Sequence, residues 1–204
     1  MSIIKTAFKQ GIWLAFFKAT SQVVSWIITI IIAHILVPED YGLMDMATVL
    51  TGYVGLFSEL GLGAAIVQKE KVTDEELSNV FWFTVFVGLL LGTICITLAY
   101  PTVMIFNEKK ILRVTQSVSL LYIISSILIV PLNILEREFR FKTIGFIDAL
   151  SIVISCLMMV IIAKMGGGVW TLISGHIIRQ LISCLLYTSP SPRDLSTSRM
   201  PSSA

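Results

Sequence analysis

The sequence predicts an all-α fold, a polytopic integral membrane helix bundle, and three observations support this prediction. The chain has 204 residues, of which 55% are hydrophobic and 14% are charged, whereas a soluble domain usually has about 25% charged residues. The apolar residues form long runs that are separated by short charged clusters. These runs are hydrophobic on every side, and about 20 mainly apolar residues are enough for a helix to cross a bilayer.

Six apolar segments follow one another, and we expect each to be one span of a single N-terminal transmembrane lobe over residues 1–183. A short amphipathic stretch, residues 2–10, precedes the first span. No small-residue cleavage site closes that span, so we interpret it as a retained helix and not as a signal peptide. The expected bounds are about 11–37, 42–60, 79–106, 111–135, 143–163 and 169–183.

The connections between the segments are short and carry recognisable turn and cap residues. Pro38 disfavours helix in the residue before it, so we expect the first helix to end there. Pro38 can also begin the next helix, with two acidic residues near the positive end of its dipole. Thr73 and Glu76 have the spacing of a capping box, which predicts a helix start well before the third apolar segment. Three glycines, residues 166–168, predict a tight loop before the sixth segment.

The composition changes after Ser183, where the chain becomes rich in Ser, Pro, Thr and Arg. The stretch from Cys184 to Asp194 resembles the translation of a transposon-end sequencing adapter. We therefore expect the biological sequence to stop near Ser183, within the sixth segment, and residues 184–204 to be a non-native tail. An ordinary polar terminus is the alternative.

The placement of lysine and arginine favours a cytoplasmic N-terminus. The N-terminus and the even-numbered connections carry seven of these residues, whereas the odd-numbered connections carry four. The first group is Lys5, Lys9, Lys69, Lys71, Arg137, Arg140 and Lys142, and the second is Lys109, Lys110, Arg113 and Lys164.

Several classes of function are disfavoured by composition and spacing. The net charge of +2 is too small to indicate nucleic acid as a partner, and three unrelated cysteines imply no disulfide framework. The sequence has no zinc-ligand spacing and no glycine-rich phosphate loop, so we expect no metal and no cofactor. The scattered acidic residues and short connections indicate no catalytic site.

Four stretches resemble motifs of polysaccharide-export (Wzx-like) flippases of the multidrug/oligosaccharidyl-lipid/polysaccharide superfamily. Residues 36–43 resemble the family's "L-x-P-x-D-Y-G" junction, and residues 58–68 resemble its "D-L-G-L-G-x-A-x-x-Q" motif, with Glu59 where Asp is usual. Residues 75–82 resemble the entry into the third helix, and residues 136–141 resemble the charged turn after the fourth. Their order and spacing cover most of residues 1–183.

The resemblance implies a longer transporter of two lobes, which rock to expose a central cavity to each side of the membrane in turn. This chain would supply the N-terminal lobe. The implied cargo is an oligosaccharide linked to undecaprenyl pyrophosphate, flipped across the bacterial inner membrane without covalent chemistry. A polysaccharide polymerase and co-polymerase are candidate partners. Two alternatives remain open: a cation-coupled multidrug efflux transporter, and a membrane-bound polysaccharide polymerase or glycosyltransferase.

Ionisable residues inside spans are the candidates for contacts with such a cargo, because charge in a membrane is costly and is usually kept for function. Lys18 and Gln22 are one turn apart in the first segment and so share a face. Lys18 would attract pyrophosphate, although a snorkelling lysine is the alternative. Arg179 is the deepest charge in residues 1–183, and it could bind a phosphate or pair with Asp148. Asp148, in the fifth segment, is also a candidate for contact with the cargo.

Two acidic residues of the second segment are candidates for ion coupling. Glu59 lies near its inner end, where a helix cap or an ion pair is the alternative role. Asp45 lies near its outer end, where the helix dipole alone would favour a carboxylate.

Overall fold

The structure is a computed structural model that describes residues 2–58 and 73–188. These two stretches form six α-helices and contain no strand, which confirms the predicted all-α class. The helices are α1 (Ser2–Ala33), α2 (Pro38–Ser58), α3 (Asp74–Phe106), α4 (Lys110–Arg137), α5 (Phe141–Lys164) and α6 (Val169–Thr188).

Five stretches of the described helices are long and apolar enough to cross a membrane. They are Gly11–Ala33, Glu75–Phe106, Lys110–Arg137, Phe141–Lys164 and Val169–Thr188. Large apolar side chains cover their outer surfaces; Trp26 is 62% exposed and Phe86 is 64% exposed. Water would not tolerate so many exposed apolar groups, whereas lipid tails would, so the chain is a multi-pass membrane protein. The span predicted over residues 42–60 runs into the undescribed part and stays a prediction.

The first helix ends earlier than expected. The sequence placed its end near Val37, whereas α1 ends at Ala33 and a turn follows. The amides of Ile35 and Leu36 both donate to the Ile32 carbonyl, at 2.9 Å each, so the last turn tightens before Pro38. At its other end α1 includes residues 2–10, which continue the spanning helix without a break.

Local cap and turn chemistry is as predicted. Thr73 Oγ1 accepts from the Glu76 amide at 3.3 Å, and Glu76 Oε2 accepts from the Thr73 amide at 3.2 Å. Pro38 is the first residue of α2. Gly166 and Gly168 have φ angles of 79° and 52°, which glycine adopts at little cost. These residues therefore fix where α3 and α6 begin.

Three connections lie at one end of the bundle. Lys110 Nζ lies 2.9 Å from Glu39 Oε1, which joins the start of α4 to the start of α2. A Cβ added at Gly168 would lie 3.0 Å from Asp40 Oδ1, so the glycine loop before α6 contacts α2 as well. The α1–α2, α3–α4 and α5–α6 connections thus share one side, as alternating spans require.

Small residues let neighbouring helices approach closely. A Cβ at Gly88 on α3 would overlap the Ser126 side chain on α4, and one at Gly175 on α6 would overlap Met159 on α5. This is the usual packing of helices in lipid, where no hydrophobic force draws them together. A buried apolar cluster joins the ends of α1 and α5 to α2, α4 and α6. It contains Ile32, Leu36, Leu43, Met44, Ala47, Val114, Val118, Ala163, Val169, Leu172 and Ile173.

Candidate functional site

Helix α6 carries a stripe of polar side chains toward its neighbours. His176, Arg179, Gln180 and Ser183 occur at positions i, i+3, i+4 and i+7, which places them on one helical face. Ser183 Oγ donates to Ser151 Oγ on α5 at 3.1 Å. This contact buries the Ser183 end of the stripe against α5, whereas His176 and Arg179 are exposed.

A cavity of about 430 Å³ lies beside this stripe, and we name it the charged cavity. Three of the residues expected to contact a cargo, Lys18 on α1, Asp148 on α5 and Arg179 on α6, line it together. Its other lining residues are Leu121, Ser125, Leu128, Ile129, Leu132, Glu136, Ile144, His176, Gln180, Ser183 and Tyr187. Folding thus brings together three charges that lie far apart in the sequence.

Arg179 and Asp148 form an ion pair across the α5–α6 contact. Arg179 Nη2 donates to Asp148 Oδ1 at 3.0 Å, and the two side chains are 46% and 33% exposed. Of the two roles open for Arg179, pairing with Asp148 is therefore realised in this structure. That hydrogen bond uses one of the five N–H donors of the guanidinium group, so Arg179 retains donors for an anion.

Lys18 and Gln22 differ in their position relative to the charged cavity. Lys18 is exposed within the cavity wall, and its ammonium group has no ion-pair partner among the described residues. Gln22, one turn further along α1, is exposed but does not line the cavity. The shared helical face therefore does not bring both side chains to the same site in this conformation.

Glu136 and the neutral members of the α6 stripe were not among the predicted site residues. Glu136 lies on α4 and lines the charged cavity, and its carboxylate has no partner among the described residues. Its sequence position, beside a charged turn, gave no sign of this. His176 and Gln180 could have been found from their helical spacing around Arg179, which is a signal that the sequence carries.

Of the two ion-coupling candidates, Asp45 lies within the described residues and Glu59 does not. Asp45 is exposed on α2, its carbonyl accepts from Thr48 Oγ1 at 3.0 Å, and it does not line the charged cavity. Glu59 lies outside the described residues. A role in coupling stays a prediction for both. Within residues 2–58 and 73–188, no group of three His, Cys, Asp or Glu side chains could hold a metal ion.

Two smaller cavities adjoin the charged one. A cavity of about 220 Å³ lies between α1, α5 and α6, and another of about 340 Å³ lies between α2, α4 and α6. We name the latter the uncharged cavity, because no Asp, Glu, Lys or Arg side chain lines it. His176 lines all three cavities, so the α6 stripe connects them.

Comparison with known proteins identifies the family of the chain. The model of a family described as polysaccharide biosynthesis protein matches residues 31–200, well over half of the sequence. The chain belongs to this family. That membership confirms the family resemblance of its four motifs.

The similar members of the polysaccharide biosynthesis family are bacterial and considerably longer. An uncharacterized membrane protein in the cps region of Klebsiella pneumoniae is 24% identical over 87% of this chain and 37% of its own length. The succinoglycan biosynthesis transport protein ExoT of Rhizobium meliloti (strain 1021) is 21% identical over 87% of this chain and 36% of its own length. The lipopolysaccharide biosynthesis protein WzxC of Escherichia coli (strain K12) is 19% identical over 77% of this chain and 32% of its own length.

The chain therefore spans about a third of the length of the curated relatives it matches. No solved structure matches it. The relative ExoT is named as a transport protein. This agrees with the prediction that the chain is not an enzyme, and it disfavours the polymerase or glycosyltransferase alternative.

Proposed function

We propose that this protein moves lipid-linked oligosaccharide or polysaccharide repeat units across the bacterial inner membrane for surface polysaccharide export. The names of its relatives support the process, since they refer to succinoglycan, lipopolysaccharide and teichuronic acid. The cargo proposed for this chain is a repeat unit on undecaprenyl pyrophosphate. The full-length protein would carry it by alternating access, with this lobe as one wall of the central cavity.

One observation carries the proposal: Lys18 and Arg179, from helices far apart in sequence, line the same cavity. An anionic headgroup crossing hydrocarbon loses its hydration, and each unsatisfied polar group there costs several kcal/mol. Two cations in a wet cavity wall offset part of that cost. These two cations therefore favour a diphosphate over an uncharged solute, against the opposing effect of the two carboxylates in the same cavity.

The two cations would contribute in different ways. The planar guanidinium of Arg179 can hold two phosphate oxygens at once, which orients the diphosphate. Lys18 supplies a compact charge on a flexible stem, which can follow the headgroup as it moves. Asp148 holds Arg179 in place, and Gln22 would reach the cargo only after a change in lobe arrangement. No bond in the cargo is made or broken.

The test replaces each cation in the full-length protein. We expect Lys18→Ala and Arg179→Ala to lower surface polysaccharide while protein abundance stays at the parent level. Matched controls are Lys164→Ala and Arg113→Ala, whose side chains are exposed and line none of the three cavities. Normal polymer output from both cavity variants would remove these residues from the mechanism.

Two carboxylates in the same cavity, Asp148 and Glu136, favour a second candidate, cation-coupled multidrug efflux. Carboxylates attract cationic drugs, whereas they repel a diphosphate. Deleting the full-length gene separates the two functions. Loss of surface polymer with unchanged drug tolerance supports export, and increased sensitivity to cationic drugs with normal polymer supports efflux.

A further inference from the structure

The uncharged cavity lies next to the charged cavity, and the two have part of their walls in common. Leu121 and Ser125 on α4 and His176 and Gln180 on α6 line both. A ligand held by Arg179 in the charged cavity would therefore have its neighbouring groups close to the uncharged one.

The lining of the uncharged cavity suits a neutral ligand with many hydroxyl groups. Thr48, Ser125 and Gln180 supply hydroxyl and amide groups there. The hydroxyls of Thr51 and Tyr122 donate to the backbone carbonyls of Ala47 and Thr51. Thr48 and Ser125 donate their hydroxyl hydrogens to backbone carbonyls, at 3.0 and 3.1 Å. Their oxygens keep lone pairs, so they can accept hydrogen bonds from a ligand hydroxyl.

Gln180 adds both hydrogen-bond donors and hydrogen-bond acceptors at the wall that the two cavities share. Its amide can donate two hydrogen bonds and accept two, and within the described residues its side chain has no hydrogen-bond partner. The Tyr122 ring and the side chains of Met44 and Val118 supply apolar surface beside these groups. Uncharged polar groups beside an aromatic ring are what a sugar ring, with its hydroxyls and apolar C–H faces, requires.

We propose that the uncharged cavity is a sugar subsite, which binds the sugar residue nearest the diphosphate of the cargo. This inference rests on the proposed function, since it takes the diphosphate to occupy the charged cavity. The volume of about 340 Å³ lies at the lower end of the roughly 300–1,000 Å³ typical of small-molecule sites, which suits a mono- or disaccharide unit. A polyprenyl chain could pack against the apolar side chains, but it would leave the amide and hydroxyl groups without hydrogen-bond partners.

Gly52 provides a way to fill the subsite without disturbing the fold. It lies on α2 and lines the uncharged cavity, and a Cβ added there would meet nothing within 4 Å. A leucine at this position would therefore project into open space, and it is also a better helix former than glycine. Gly11 is the matched control, because an added Cβ there also meets nothing within 4 Å and Gly11 lines none of the three cavities.

The experiment measures binding of two probes to the purified full-length protein. One probe is undecaprenyl pyrophosphate, and the other is the undecaprenyl-pyrophosphate-linked repeat unit extracted from the native host. We expect Gly52→Leu to weaken binding of the sugar-bearing probe by about tenfold and to leave binding of the sugar-free probe unchanged. Gly11→Leu should change neither. Gln180→Leu, which keeps the side-chain volume, should act in the same direction as Gly52→Leu.

Two results would overturn the sugar subsite: equal weakening of both probes by Gly52→Leu, or weakening of neither. Failure of the proposed function would give a different result, which is measured as the binding of both probes to Arg179→Ala in the same assay. If Arg179→Ala weakens both probes while Gly52→Leu has no selective effect, only the sugar subsite is wrong. If Arg179→Ala weakens neither probe, the diphosphate does not bind at the charged cavity.

Discussion

Arg179 on α6 donates a hydrogen bond to Asp148 on α5 across 3.0 Å, within the wall of the charged cavity. The pair ties two adjacent helices together and gives Arg179 a counter-ion. Under the proposed function, an incoming phosphate would compete with the Asp148 carboxylate for the same guanidinium group. The ion pair would therefore limit how much of the cation's attraction is available to the cargo.

The first prediction concerns this competition. Asp148→Asn should tighten binding of inorganic pyrophosphate by the full-length protein by about 1.4- to fivefold. The magnitude follows from the roughly 0.2–1 kcal/mol that a partly exposed ion pair contributes, since about 1.4 kcal/mol corresponds to tenfold in affinity. Isothermal titration at fixed ionic strength measures the change. In an Arg179→Gln background the effect should vanish; an equal gain in that background would mean that Asp148 does not act through Arg179.

The second prediction concerns the contact between α3 and α4. A Cβ at Gly88 would overlap the Ser126 side chain and lie 3.0 Å from the Tyr122 carbonyl oxygen, so Gly88→Ala must push the helices apart. We expect a loss of about 1–3 kcal/mol of stability, typical of overpacked sites, measured by denaturation of the full-length protein in detergent. Gly11→Ala is the control and should be neutral or slightly stabilising. Equal stability of the two variants would mean that α3 and α4 are less closely packed.

The third prediction tests the capping box at the start of α3. Thr73→Ala removes the hydroxyl that accepts from the Glu76 amide, and the loss of such a cap costs about 1 kcal/mol. Hydrogen exchange should therefore become faster at the amides of the first turn of α3 and stay unchanged at the centre of that helix. Ser78→Ala, at an exposed position of the same helix, should leave exchange in the first turn unaltered.

The fourth prediction fixes the orientation of the bundle. The Glu39–Lys110 ion pair places the α3–α4 connection at the same end as the α1–α2 connection, and the lysine and arginine bias predicts that this end is periplasmic. In a background without native cysteines, Lys109→Cys should react with a membrane-impermeant maleimide in intact spheroplasts. Glu138→Cys should react only after lysis. The reverse pattern would place the N-terminus outside.

Most of the fold could be predicted because its signals are local. The expected fourth span, 111–135, compares with Lys110–Arg137 in the structure, and the fifth, 143–163, with Phe141–Lys164. Apolar runs, proline and the capping box act over a few residues, so the sequence displays them directly. The end of α1 was misplaced by a few residues, because Pro38 restricts its neighbour but does not determine where the last helical turn closes.

The site could be predicted only in part. The cost of charge in lipid singled out Lys18, Asp148 and Arg179, and these three line one cavity. The same reasoning also selected Asp45, which is exposed outside the cavities. Glu136 was missed because a residue near a helix end looks like part of a loop. Which helices meet depends on packing between distant segments, and no local pattern encodes that.

Helix α2 is attached to α4 at two heights: by the ion pair from Glu39 to Lys110 and by the Tyr122 hydroxyl, which donates to the Thr51 carbonyl. Two separated attachments resist both sliding and tilting of α2 against α4. Under the proposed function, we expect spectroscopic labels on these two helices to keep a nearly constant separation through the transport cycle. The distance between the two labels would be a reference against which any larger displacement in the protein can be measured.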